Sequence, residues 1–143
     1  MSQAERIVEL LGGEKALGAP RTEMDFVRMV RGGLPYGSFE RARALLDVSV
    51  KELSAALGLK VRTIARRRVR ARLDPMESER MLRLARVIAR AEEVLGDRDA
   101  AHGWVRTPNQ ALGGSSPMAV LDTDIGAGAV LKVLGRVEHG VVS

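Results

Sequence analysis

The sequence predicts an all-α protein, and three observations carry that prediction. Apolar residues recur at intervals of three and four along most of the chain, which is the spacing of one helix face. Serine, threonine or aspartate precedes several of these segments and glycine follows them, as at helix ends. Strict alternation of polar and apolar residues, the signal of a half-buried strand, is nearly absent.

Three helices are predicted in the first 46 residues. The first ends at Gly12-Gly13, the second spans 23–31, and the third spans 39–46 with Ser38 as its N-cap. The predicted inward faces of the first two are apolar and would also permit dimerisation: Ile7, Leu10 and Leu11, then Phe26, Val27 and Val30.

Two short helices follow, joined by a turn at Gly58. Ser49 and Glu52 form a predicted capping box at the start of the first, and the second runs from Val61 to about Val69. Two helices around a tight glycine-containing turn make a helix-turn-helix, whose second helix can enter the DNA major groove. The unit resembles that of Xre-type regulators, with these apolar contacts between its helices: Leu53, Leu57, Leu59 and Ile64.

Positive charge is concentrated around this unit. The chain has a net charge of +5, and eleven basic but only three acidic residues lie between Lys60 and Arg90. Concentrated positive potential attracts nucleic-acid phosphate, and arginine can bond a phosphate or a guanine edge with two hydrogen bonds. The predicted DNA contacts are Lys60, Arg62, Thr63, Arg66, Arg67 and Arg70.

Three positions depart from the usual pattern of such a unit. Ser54 stands where a small apolar residue packs, Lys60 where a capping serine or threonine is common, and Arg67 where the side chain usually faces the core. The alternative interpretation is a solvated basic helix pair that serves as a scaffold or a dimer contact.

A long helix is predicted after the capping signal at 74–77, and it ends at Gly96. One face carries Met81, Leu84, Ala85, Ile88 and Leu95, and the other carries Arg83, Arg86 and Arg90. A shorter helix at 97–105, two single turns and a last helix at 124–138 follow; the inward residues predicted for the last helix are Val130, Val133, Leu134 and Val137. We therefore divide the chain into an N-terminal region, 1–96, with the helix-turn-helix at about 49–70, and a C-terminal module, 97–143.

The residue order of the C-terminal module is distinctive. Residues 101–114 read AHGWVRTPNQALGG, Ser116-Pro117-Met118 follows, and residues 134–140 read LGRVEHG. This combination looks like the toxin-binding domain of the Xre/MbcA/ParS-type antitoxins, and the resemblance covers roughly residues 45–143.

The resemblance implies an antitoxin of a type II toxin–antitoxin pair. The usual partner in this family is a RES-domain toxin, which depletes cellular NAD. The family's antitoxins dimerise, cover the toxin's active site with the C-terminal module and repress their own operon through the helix-turn-helix. The toxin contacts predicted from the resemblance are Trp104, Pro108, Asn109, Leu112, Arg136, His139, Gly140, Val141 and Val142.

Other interpretations remain open at this point. Trp104 can be a core residue, and segment 107–110 can be only a helix cap. The chain as a whole can be a stand-alone helix-turn-helix transcriptional regulator whose C-terminal module dimerises or binds a ligand.

Catalysis, cofactors and membranes find no support in the residue types. The chain has no cysteine and only two histidines, which are far apart, so neither a metal site nor a catalytic triad is convincing. Glu5, Arg6 and Glu9 stand where a signal peptide would be apolar, and no run approaches the ~18 apolar residues of a membrane span. We expect a soluble, cytoplasmic, non-enzymatic protein with no cofactor.

Overall fold

A computed structural model describes residues 1–140, and the elements in this range are α-helices and 3₁₀ turns, without a β-strand. The all-α prediction is therefore confirmed. The helices are α1 (Gln3–Leu10), α2 (Glu14–Leu17), α3 (Glu23–Gly32), α4 (Gly37–Leu46), α5 (Val50–Ala56), α6 (Val61–Arg70), α7 (Pro75–Leu95), α8 (Arg98–Arg106) and α9 (Asp124–Glu138); the 3₁₀ turns are Gln110–Leu112 and Met118–Val120. Within this range, no helix combines the length and the apolar character needed to cross a bilayer.

Helix α7 is the centre of the fold. It packs against α1 and α3 on the N-terminal side and against α8 and α9 on the C-terminal side. Its capping box is formed as predicted, because Asp74 accepts from the Glu77 backbone N–H and Glu77 accepts from that of Asp74. The predicted inward residues Met81, Leu84, Ala85 and Ile88 are buried, whereas Leu95 is only partly covered. One helix therefore contributes to the core of both halves of the chain.

The beginning of α4 differs from the prediction. The helix starts at Gly37, and Ser38 lies inside it, buried, where its hydroxyl donates to the Leu11 carbonyl. Ser38 therefore joins α4 to the end of α1 and is not an N-cap. Helix α2 was not predicted, because a single turn between two glycines gives no apolar periodicity.

The inward faces of the outer helices are largely as expected, with three corrections. Ile7, Leu10, Leu11 and Phe26 are buried, as are Val130, Val133 and Leu134. Val27 and Val30 are only half-buried. Val137 shares the face of Val130, but it lies in the last turn of α9 and is 39% exposed.

A buried polar cluster ties α1, α7 and α8 together. Arg6 donates to both carboxylate oxygens of Glu92, over 2.6 and 2.8 Å, and His102 Nε2 lies 2.8 Å from Glu92 Oε2. Burial opposes ionisation of Glu92, but the hydrogen bonds from Arg6 and His102 outweigh it, so the pKa of Glu92 lies below its usual range. The carboxylate is therefore charged in the folded protein.

We predict that Glu92→Gln lowers the free energy of unfolding at pH 7 by about 1–2 kcal/mol, because the ion pair with Arg6 is lost and one of the two oxygens that accept from Arg6 becomes an NH2 group, which can only donate. A carboxyl group whose pKa is lowered by folding adds stability above its unfolded pKa and loses it as the pH falls through the folded value. The difference between wild type and variant should consequently shrink below about pH 4.5. Urea unfolding at several pH values measures it, and a pH-independent difference would contradict the role of the charge.

Candidate functional site

The helix-turn-helix is formed by α5 and α6. The capping box of α5 is present as predicted, since Ser49 accepts from the Glu52 backbone N–H and Glu52 from that of Ser49. Gly58, with φ of +66°, reverses the chain in a left-handed conformation that favours glycine. Lys60 precedes α6 without a side-chain capping hydrogen bond. The predicted contacts between the helices are formed, with Leu53, Leu57 and Ile64 buried and Leu59 half-buried against the core.

The turn of this unit is fastened to α7. Arg80 Nη1 donates to the Leu57 carbonyl over 2.9 Å and to the Gly58 carbonyl over 3.3 Å. One turn further along α7, Arg83 Nη1 donates to the Leu121 carbonyl over 3.0 Å. Arg80 and Arg83, interpreted from the sequence only as positive charge, therefore bind carbonyl groups of the helix-turn-helix and of the C-terminal module.

The basic block between Lys60 and Arg90 divides into two groups. Six of its arginines donate to carbonyl or carboxylate oxygens of the protein itself: Arg67, Arg72, Arg80, Arg83, Arg86 and Arg90. The other five side chains are exposed and have no hydrogen-bond or ion-pair partner within residues 1–140: Lys60, Arg62, Arg66, Arg68 and Arg70. All five lie on α6 or at its start, so the free positive charge belongs to one helix.

Four of the six predicted DNA contacts belong to this free group, and two do not. Thr63 is half-buried. Arg67 Nε lies 2.7 Å from Oε1 of Glu77, which is 1% exposed, and Arg67 Nη2 lies 3.4 Å from Asp74. The structure thus gives Arg67 an internal role, anchoring α6 to α7. Arg68 was missed, because its place among six closely spaced arginines does not reveal which way it points.

We predict that Arg67→Ala destabilises the protein by about 2 kcal/mol, because it leaves the buried Glu77 carboxylate without its cation. Arg66→Ala, the matched change at an exposed neighbour, should alter stability by less than about 0.5 kcal/mol. Thermal melting of the two variants measures the contrast, and equal melting temperatures would show that the ion pair does not anchor α6.

Ser54 is the other unusual residue of this unit. It is buried between the helices, and its hydroxyl has no hydrogen-bond partner in the described part of the chain. It therefore occupies the small-residue position that the sequence indicated, with a polar atom in place of a methyl group.

In the C-terminal module, segment 107–115 is a compact loop organised by Asn109. The Asn109 side chain accepts from the Ala111 backbone N–H over 2.9 Å and caps the first 3₁₀ turn. The Asn109 backbone N–H donates to Ser115, and its carbonyl accepts from Leu112 and Gly114. The helix-cap interpretation of this segment is therefore correct for Asn109.

The other residues predicted to contact a toxin fall into two sets. Trp104 and Leu112 are half-buried and pack against the core. Pro108 is exposed, as are Arg136, His139 and Gly140 at the end of α9. The first 3₁₀ turn packs against α9, which joins the loop to that helix. Val141 and Val142 lie outside the described residues.

Within residues 1–140, no three His, Cys, Asp or Glu side chains are grouped closely enough to hold a metal ion. The arrangement of the helices defines the class of protein: a helix-turn-helix unit is joined through α7 to a second helical module. Two family models match these two parts. Residues 25–86 match the antitoxin Xre-like helix-turn-helix domain, and residues 90–140 match the antitoxin Xre/MbcA/ParS C-terminal toxin-binding domain.

Curated relatives agree with the family models. The chain is 42% identical to Antitoxin Xre of Yersinia enterocolitica over 94 residues, which cover 64% of each protein and thus just under two thirds of the relative. It is 32% identical to Antitoxin Xre of Photorhabdus laumondii over 113 residues, 78% of this chain and 76% of the relative. It is 28% identical to the Prs ADP-ribosylating antitoxin of a Sphingobium species over 127 residues, 82% and 80% of the two chains. The chain belongs to the Xre antitoxin family.

Proposed function

We propose that this chain neutralises a RES-domain, NAD-depleting toxin by covering its active site, and that it represses its own operon by binding operator DNA. The action is steric and uses no catalytic residue, cofactor or metal of the antitoxin. Because it requires access to the chromosome, we place the protein in the cytoplasm.

One observation carries the proposal: along the chain, the unpaired positive charge comes before α7 and the toxin-binding module comes after it. Lys60, Arg62, Arg66, Arg68 and Arg70 precede α7, and the exposed candidates of the module follow it. Phosphate binding needs cations that are not already neutralised by the protein, and α6 provides them. The toxin-binding family match begins at residue 90, inside α7.

Co-expression tests the proposal. The reading frames next to the gene of this chain are searched for one that encodes a RES-domain protein, and that protein is induced with and without this chain while growth and cellular NAD are recorded. We expect growth arrest and NAD loss from the toxin alone, rescue by this chain, and co-purification of the two proteins. Absence of both rescue and complex formation would contradict neutralisation and leave a helix-turn-helix regulator.

A homodimer is part of the proposal. The apolar face of α1 does not form its interface, since Ile7, Leu10 and Leu11 are buried within the chain. A groove of about 510 Å³ between α3 and α7 is available instead. Its floor is apolar. On its rim Glu23 and Arg86 form an ion pair within the chain, and Arg31 and Glu79 add one charge of each sign, which suits a self-complementary two-fold contact. The floor residues are Phe26, Val27, Val30, Met76 and Leu82, and the rim residues are Glu23, Arg31, Glu79 and Arg86.

We predict that Met76→Asp converts the dimer to a monomer, because it places a carboxylate in the apolar contact. Met76 is 53% exposed, so the folded monomer should tolerate the change. Ile125→Asp is the matched control, since Ile125 is 87% exposed and lies outside the groove. Light scattering after size-exclusion chromatography measures the mass; a dimeric Met76→Asp variant would exclude this groove as the interface.

A further inference from the structure

The N-terminal half of α6 presents two apolar side chains next to its arginines. Val61, the first residue of the helix, is 47% exposed, and Ala65, one turn later, is also exposed. Arg62 and Arg66 follow each of them directly and share the same four-residue spacing. Because residues four apart lie above one another on a helix, an apolar row and a guanidinium row run side by side.

The fold does not account for the apolar row. Ile64 is the residue by which α6 enters the core, and it is 1% exposed. At 47% exposure Val61 leaves about half of its surface uncovered, and β-branching gives valine a lower helix propensity than alanine. Arg62 and Arg66 are exposed and have no hydrogen-bond or ion-pair partner within residues 1–140, so this side of α6 faces solvent.

The two rows match the two kinds of group that a major groove offers. Guanine presents two acceptors that a guanidinium binds with two hydrogen bonds. Thymine presents its C5-methyl group, which is the apolar group that base pairs expose in the major groove. The N-terminal residues of a recognition helix are those that reach base edges. Four helical residues rise about 6 Å, nearly two base-pair steps of 3.4 Å.

We propose that Val61 and Ala65 contact thymine methyl groups while Arg62 and Arg66 bind guanines beside them. The operator half-site then contains thymine next to guanine, and Val61 and Ala65 are specificity-determining residues. This inference rests on the proposed binding of operator DNA and names the bases that are read.

The test begins with the full chain and a random pool of DNA duplexes, from which bound sequences are selected. In the best duplex each thymine is then replaced by uracil, which lacks only the methyl group. Removal of one buried methyl group should weaken binding about fourfold, and this is the expected effect at one or two positions next to guanine. The replacement at the thymine read by Val61 should have no effect on Val61→Ser, because that contact is already absent, whereas the thymine read by Ala65 should stay sensitive.

Val69→Ser is the matched control. Val69 is on the same helix and is 88% exposed, but it lies eight residues, or about 12 Å, further along the axis. This variant should bind less tightly to the uracil duplexes than to the thymine duplex, as wild type does. Circular dichroism confirms that both variants are folded.

The outcomes separate the two proposals. Failure to enrich any sequence would overturn DNA recognition itself. Enrichment without sensitivity to uracil, or equal sensitivity of wild type and Val61→Ser at every thymine, would leave operator binding intact and overturn the proposed recognition of thymine.

Discussion

Replacing Gly126 with alanine is expected to destabilise the protein by about 3 kcal/mol and to lower its melting temperature by roughly 10 °C. Gly126 is buried in the first turn of α9, and a Cβ built on it would lie 1.7 Å from the Val120 carbonyl oxygen and 2.9 Å from the Thr123 hydroxyl. The closest of these contacts is with backbone, so the start of α9 would have to move away from the second 3₁₀ turn.

Gly128 offers a control with the opposite sign. It lies in the same helix, and a Cβ there would meet nothing within 4 Å. Since alanine is favoured over glycine inside a helix, Gly128→Ala should stabilise the protein by up to about 1 kcal/mol. Thermal melting of the two variants measures both effects; equal shifts of the same sign would show that α9 does not pack closely on Val120.

Simultaneous replacement of Arg62, Arg66 and Arg70 by alanine is expected to weaken operator binding at least about 100-fold, because each contributes a charged contact to phosphate or a base edge. The slope of log affinity against log salt concentration should fall by roughly one for each phosphate that is no longer neutralised. Melting temperature and toxin binding should stay close to wild type, since all three side chains are exposed and unpaired within the described residues.

A second triple variant controls for net charge. Lys15, Arg21 and Arg98 are also exposed, and they lie outside the matched helix-turn-helix domain. Their replacement by alanine removes the same charge and should leave both the affinity and the salt slope nearly unchanged. Gel-shift titrations at several salt concentrations compare the variants, and similar decreases in both would mean that binding follows total charge and not α6.

Most of the fold could be predicted from local signals. Capping boxes at Ser49 and Asp74, the proline at 75 and the glycine at 96 determine helix ends through neighbouring atoms, so the adjacent residues suffice to place them. The inward phase of α9 was recognised at Val130, Val133 and Leu134. Ser38 was misplaced because its hydroxyl binds Leu11, a partner 27 residues away that no local pattern indicates.

The candidate site was predicted less completely, for a physical reason. Arginine looks the same in sequence whether it faces solvent, as Arg66 does, or lies against a buried carboxylate, as Arg67 does. Which arginines are free depends on partners such as Glu77 that come from another helix. The carbonyl contacts of Arg80 and Arg83 are equally non-local, and a basic helix face alone did not predict them.

Because α7 packs against helices of both domains, a chimera between this chain and a relative would depend on where the two sequences are joined. The predicted boundary after residue 96 lies at the end of α7, yet α8 and α9 pack against that helix. A chimera joined there would set one parent's toxin-binding helices against the other parent's Ile88 and Ala91, both buried. A junction between 86 and 90 would instead carry Arg90 together with its partner Glu138. Such a chimera would inherit a new toxin specificity with part of the helix that supports it.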